Sequence, residues 1–427
     1  MTSRPDHPPA RKEIAAWCGY DFAISSFSVI VVTVVFNAYF LNVVCAGLPA
    51  GKALSIWGNA ALLSHGTAFL LSPFLGAWAD FRAAKRTLLI GATIVCVSAT
   101  FALSFVGAGD IRSAFWLFVV ANLAYSLAEN FNASFLPELA KPEETGRISG
   151  YGWAFGYVGG LVSLFAAFPL VKGGFSPENA ANLRHSVLFC SLFFALCSLP
   201  ALLILRDRSR PRPMHASQIV LAAFVSVRES AVTIWGSPLL RTFFSAFFLY
   251  TAGVMTVIAF ASPYAISEIG FSGLGVLVLF IVLQVSGSFG AFGFGYVQDK
   301  WGSLPTLRLT LVLWVVVVLG AYFCHSIAGF YVVANLAGLA IGSLQSAGRA
   351  VIAQLAPHDR RAEYFGFWGL FSKLSAAFGP WVYGQVSAAT GSQRYALLGT
   401  LAFFLSGLAL LGSPALAALS KPNVNAR

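Results

Sequence analysis

The sequence predicts an all-α membrane protein with twelve transmembrane helices, arranged as two parallel six-helix repeats. Three observations carry this reading. Apolar residues fill 58% of the 427 positions and charged residues 10%, where a soluble domain carries about 25% charged. Apolar stretches near the roughly 20 residues that a membrane helix needs recur along the whole chain. Matching segments stand at a near-constant offset of half the chain.

Spans are expected near 15–45, 53–79, 87–108, 113–137, 148–171, 185–205, 240–267, 273–297, 306–324, 328–355, 364–388 and 395–417. The polar start, Met1 to Glu13, carries Arg4, Arg11 and Lys12. No short apolar core with a small-residue cleavage site follows it, so span one is expected to be retained. The organisation is then a tail (1–13), a six-helix bundle (14–205), a linker (206–238), a second bundle (239–418) and a tail (419–427). The linker opens Arg206-Asp207-Arg208-Ser209-Arg210-Pro211-Arg212-Pro213, which is too charged and Pro-rich to span. Its later part, Ile219 to Trp235, is apolar with Arg228 and Glu229 inserted. It reads either as a helix on the membrane surface or as an ordinary connector.

The net charge of +11 would suggest nucleic acid in a soluble chain. Here the charge sits in short loops between apolar spans, and the positive-inside rule accounts for it. Of the 27 Lys and Arg, five fall in loops on one side (Lys52, Arg112, Lys172, Arg184 and Arg394), and Arg349 and Lys373 lie within spans. All others fall on the side of the N-terminus. Both termini are therefore expected in the cytoplasm, with a bacterial inner (plasma) membrane as the location. The expected partners are membrane lipid and a small-molecule substrate, with no nucleic acid, no cofactor and no metal, in a monomer. The six cysteines fall in or beside apolar spans without a C-x-x-C pair and read as packing residues.

The internal repeat is visible in two places. Gly76-Ala77-Trp78-Ala79-Asp80 leaves span two and Gly295-Tyr296-Val297-Gln298-Asp299 leaves span eight, each running into a basic loop. Leu139-Ala140 and Leu355-Ala356 each precede a charged loop and then a Gly, Gly150 and Gly366. The Asp pair lies 219 residues apart and the Leu-Ala pair 216. Such a constant offset argues for duplication, and parallel six-helix repeats with the substrate between them describe one transporter architecture.

The G-x-x-x-D segment with its basic loop resembles the signature of the major facilitator superfamily. Trp17-Cys18-Gly19-Tyr20-Asp21-Phe22-Ala23, the run Asn132 to Ala140, and Gly146-Arg147-Ile148-Ser149-Gly150 with Gly152-Trp153-Ala154 and Gly156 to Gly160 resemble its vacuolar amino-acid effluxer (autophagy-related permease) branch. So do Gln345, Arg349, Phe365-Gly366-Phe367 and Gly379-Pro380. Two positions depart from the pattern. Gly348 and Ala350 flank Arg349 where the family often has Ser, and Phe81-Arg82-Ala83-Ala84 lacks the usual mid-loop Gly. The resemblance implies the major facilitator fold, with spans one, four, seven and ten lining a central cavity.

Charged groups inside a membrane are costly and ask for a function. Asp21, Glu129, Arg349 and Lys373 are such groups, each roughly 10–15 Å from its cytoplasmic helix end at 1.5 Å per residue. In one reading, Arg349 and Lys373 bind an anionic group of the substrate and Glu129 or Asp21 carries a coupling proton. In the other, acid and base pair across the seam between the halves as a gate. Gln345 lies one turn before Arg349 on the same helix face and is either a ligand contact or an interhelical hydrogen bond. Asp80 with Arg82, Lys85 and Arg86, and more weakly Asp299 with Lys300, would lock the cytoplasmic side, each Asp facing its basic loop or a neighbouring helix N-terminus. Gly152, Gly156 and Gly160 in span five and Gly287, Ala291 and Gly295 in span eight are expected to face each other across the seam.

The function expected is secondary transport of a small polar organic solute by alternating access. The family resemblance implies amino acids and an export direction. No G-x-x-x-x-G-K-[ST] motif is present, so the energy would come from a gradient, with protons expected. An exporter of amphipathic or lipid-like molecules and a non-transporting receptor or sensor are the alternatives. An enzyme would need a catalytic cluster, such as H-E-x-x-H, and the six histidines are scattered.

Overall fold

The computed structural model describes residues 11–209, 211, 216–271 and 273–416. Both expected tails lie outside the described residues, save residues 11–13. The described residues form helices and connecting turns, with no strand among them. Span one runs Arg11–Val44. Span two is Ala50–Arg82, span three Lys85–Leu103, and span four Ile111–Ser134 with a short continuation, Leu136–Leu139. Span five is Thr145–Val171 and span six Ala180–Ile204. A linker helix, Ala216–Gly236, leads to span seven, Pro238–Tyr264. Spans eight to twelve are Gly273–Trp301, Ser303–Phe323, Ile327–Leu355, Arg361–Thr390 and Gln393–Leu411.

Among the described residues, eleven helices are long and apolar enough to cross a membrane. The twelfth, span eleven, has the length at 30 residues, but its Gly, Ser, Trp, Tyr and Pro residues, together with Lys373, keep its hydropathy low. Several helices begin on caps the sequence supplies. Ser237 and Ser326 accept N–H groups from Leu240 and Gly329, and Pro238 occupies the first turn, where no N–H is needed. Span one is less regular. Two π-helical stretches, Ser28–Val34 and Phe40–Val44, interrupt it. Thr33 and Asn37 side chains donate to the carbonyls of Ser28 and Val32 there, five residues back.

The two halves meet along two close helix pairs, span two with span eleven and span five with span eight. Glycines allow the approach, and they come in symmetric sets. A Cβ on Gly76 would overlap the Ala362 carbonyl, and one on Gly366 would lie 2.6 Å from the Ser72 oxygen. At the repeat-related places, a Cβ on Gly295 would lie 2.9 Å from the Gly146 oxygen, and one on Gly150 would overlap the Ala291 carbonyl. This end of the seam is the gate side; the other is the open side. The expected glycine stripe of span five is corrected in part. Gly152 and Gly156 face Asp21 and Ser25, and Gly159 faces the Phe22 carbonyl. That part of the stripe therefore packs on span one, whereas Gly160 does face span eight, where a Cβ would lie 2.9 Å from Gln284 Nε2, and Gly146 and Gly150 meet span eight as well. A helix face drifts by about 40° over four residues at 3.6 per turn, so one spacing of four cannot follow a single neighbour far.

Candidate functional site

A cavity of about 510 Å³ lies between the halves. Its floor, toward the gate side, holds Asp21 and Arg349; it extends outward to Thr33, Ser262, Tyr264 and Leu397. The first half supplies a mostly polar wall, with Ser25, Ser28, His65, Tyr125, Glu129 and Asn130. The second half supplies an apolar outer wall, with Phe260, Leu279, Leu283, Val317 and Phe330 among others, and Gln345, Ser372 and Lys373 deeper in.

The four intramembrane charges form two ion pairs, and both cross the seam. Arg349 Nη1 donates to Asp21 at 2.7 Å, and its side chain is 4% exposed. Its Nε and Nη2 donate to the hydroxyl and carbonyl of Ser149 at 3.1 and 2.8 Å. The guanidinium also lies over the rings of Trp17 and Trp153, at 4.6 and 5.4 Å, an arrangement that favours a cation. Asp21 takes a second bond from Asn132 at 2.8 Å, and Asn132 in turn accepts from Trp17. Gly152 makes the space, because a Cβ there would meet Arg349, Asp21 and Trp17.

The second pair is looser. Lys373 Nζ stands 3.6 Å from Glu129, with side chains 13% and 28% exposed, and 5.9 Å from the face of the Tyr125 ring. Gln345 lines the cavity beside these charges with no hydrogen-bond partner among the described residues. The Nδ1 of His65 and Nε1 of Trp153 are buried and unpartnered.

This fold and this cavity have counterparts among known proteins. The family described as "Vacuole effluxer Atg22 like" matches residues 61–417. The chain belongs to this family. It is 24% identical to the "Uncharacterized MFS-type transporter YxiO" of Bacillus subtilis (strain 168), over 94% of each chain. It is 22% identical to "Autophagy-related protein 22" of Saccharomyces cerevisiae, over 85% of this chain and 77% of that one. Among solved structures it resembles the proton:xylose symporter XylE (TM-score 0.75, 13% identity, 96% and 98% of the two chains). It also resembles the human organic anion transporter MFSD10 (TM-score 0.73, 15% identity, 95% and 100%). The fold is thus that of the major facilitator superfamily, and the protein is an integral membrane transporter of the Atg22 branch, not an enzyme.

In this Atg22-like chain the signature aspartates sit at helix N-termini of the opposite half. Asp80 accepts the Glu363 N–H at 2.9 Å, in the first turn of span eleven. Asp299 accepts the N–H groups of Gly146 and Arg147 at 2.9 and 3.2 Å, in the first turn of span five. Unpaired N–H groups and the helix dipole both favour a carboxylate there. Of the basic residues expected around Asp80, Lys85 turns inward. Its fully buried Nζ lies 3.5 Å from Asp80 and 2.7 Å from Glu138. Arg82 is exposed, and Arg86 donates to the Leu202 and Leu203 carbonyls at the end of span six. Lys300 is exposed as well, and the second-half copy is neutral: Gln298 donates to Ser303, which donates to Gln354. Gln354 stands at the repeat offset from Glu138. The lock expected of Arg82, Arg86 and Lys300 is corrected accordingly. The Asp80 and Asp299 carboxylates reach backbone, and a single lysine, shared with Glu138, stands beside the first.

Ser149, Asn132 and Glu138 were not foreseen as site residues. Asn132 and Ser149 lie in the segments that carry the family resemblance, Asn132 to Ala140 and Gly146 to Gly150, but one sequence does not show which side chains there reach a charge. Glu138 is a charge at the end of a span and could have been flagged. The linker helix also reaches the gate: Ser226 donates to the Glu363 carboxylate at 2.6 Å, and Arg360 contacts Glu229 at 2.9 Å.

Proposed function

We propose that the protein moves a small zwitterionic organic solute, with amino acids foremost, across a bacterial inner membrane by alternating access, outward from the cytoplasm. The observation that carries this reading is the cavity: charges of both signs cross the seam at its floor and wall, while the halves close against each other on one side. Such a cavity offers a partner to each end of a zwitterion. The family's description as effluxers supports export. The excess of Lys and Arg on the gate side supports a cytoplasmic gate with both termini inside. Energy would come from a gradient, and Asp21 and Glu129 are the carboxylates that a coupling proton would occupy. The apolar outer wall favours a second reading, an amphipathic solute.

Thermal stabilisation of the purified protein against amino acids, dipeptides, sugars, organic acids and lysolipids separates the two, because a ligand that binds the folded state raises Tm. Stabilisation by amino acids supports the first reading. Stabilisation by lysolipids without any by amino acids replaces it with the second.

A further inference from the structure

We infer that the two seam-crossing ion pairs divide the work: Asp21–Arg349 closes the floor, and Glu129–Lys373 is the pair that the solute's two charges replace. This rests on the transport reading above and assigns its binding groups.

The two pairs differ in how far their bonding is satisfied. Arg349 spends donors on Asp21 and twice on Ser149 and lies over two indole rings. Asp21 has both oxygens occupied. A ligand would have to break this whole arrangement to reach either charge. The Ser149 contacts also tie Arg349 to the first turns of span five, which is the moving seam itself. Opening the gate and freeing Arg349 are one event.

Glu129 and Lys373 are unfinished by comparison. Their 3.6 Å separation exceeds the 2.7–2.9 Å typical of a charge-assisted hydrogen bond. An ammonium has three N–H donors, and beyond the Tyr125 ring Lys373 has no other partner among the described residues. Both face the cavity, together with the unpartnered Gln345 amide and the buried free nitrogens of His65 and Trp153. A carboxylate set on Lys373 and an ammonium set on Glu129 would satisfy both charges while parting them. A lone anion would strand Glu129, and a lone cation would strand Lys373, each in a cavity with an apolar wall. An uncompensated charge there is costly. The pair therefore selects for two opposite charges on one molecule, and it re-forms when the solute leaves.

The test is binding to the purified full-length protein. The probes are the tightest binder among the amino acids with neutral side chains, its methyl ester (a cation) and its N-acetyl derivative (an anion). The wild type should prefer the zwitterion over both analogues by at least about tenfold. Lys373→Met should reverse the order in favour of the ester, and Glu129→Gln in favour of the N-acetyl compound. Arg349→Gln combined with Asp21→Asn, which removes the floor pair without leaving Asp21 unpaired, should keep the wild-type order. The exchange variant, Glu129→Lys with Lys373→Glu, keeps a pair and should keep the zwitterion preference. An unchanged order in both single variants overturns the inference, as does a reversal in the Arg349→Gln, Asp21→Asn double variant or loss of the preference in a well-folded exchange variant. If the wild type binds no amino acid at all, the transport reading for amino acids fails first, and that result is distinct from the others.

Discussion

Gly366→Ala should drive the gate open. In the closed gate its Cβ would lie 2.6 Å from the Ser72 oxygen and 2.7 Å from Pro73 Cα. Ordinary contact begins at 3.4 Å, so spans two and eleven must part by about 0.8 Å at this point. Overpacking of this kind costs about 1–3 kcal/mol. Only the state in which the two spans touch bears that cost. The ratio of gate-open to gate-closed protein should then rise roughly 5- to 150-fold. The reporter is Ser346→Cys in a background without the six native cysteines. Ser346 is buried on span ten, and its carbonyl accepts from Ser149 across the closed seam, so a thiol there reacts only when the seam opens. Gly384→Ala on the same helix is the control, because its Cβ meets nothing within 4 Å. Gly366→Ala should raise the labelling rate and Gly384→Ala should not. Equal labelling in Gly366→Ala and the parent, with a folded protein, would refute the idea that this glycine contact belongs to one state only.

Three further predictions follow from the gate. Lys85→Met leaves Asp80 and Glu138 buried without their cation and should cost about 3 kcal/mol, seen as a marked fall in Tm, whereas Arg82→Ala, on an exposed side chain, should leave Tm unchanged. Asp299→Asn removes a charge from the first turn of span five at about 1 kcal/mol, which should raise Ser346→Cys labelling roughly fivefold. Ala83 holds a left-handed backbone at φ 51°, a conformation glycine adopts without the Cβ penalty; Ala83→Gly should therefore stabilise the loop by about 0.5–1 kcal/mol, measured as a small rise in Tm.

Much of the fold was legible because a membrane leaves few options: long apolar stretches must become helices that satisfy their own backbone. Span eleven was legible too, as an apolar stretch near 364–388, although its Gly, Ser and aromatic residues keep its hydropathy low. The boundaries were less so. Span two was read as 53–79 and runs Ala50–Arg82, since helices continue past the apolar core into the loops. The π-helical stretches of span one left no trace in hydropathy. At the site, Asp21, Glu129, Arg349 and Lys373 were visible as charges where charges are expensive. Which acid met which base was not visible, because pairing depends on helix rotation across a seam that no single span encodes. The same limit hid the choice among Arg82, Lys85 and Arg86. Lys85 lies just past the left-handed Ala83, in the first turn of span three, where its Nζ reaches Asp80 and Glu138.

The most direct test of the account is counterflow. Proteoliposomes are preloaded with an unlabelled neutral amino acid and diluted into a trace of the same compound carrying a label, with no imposed ion gradient. A carrier that alternates its access exchanges one for the other, so the label should accumulate transiently inside. Lys373→Met should abolish that accumulation. No accumulation of any amino acid in liposomes holding folded wild-type protein would contradict the claim that this cavity carries them.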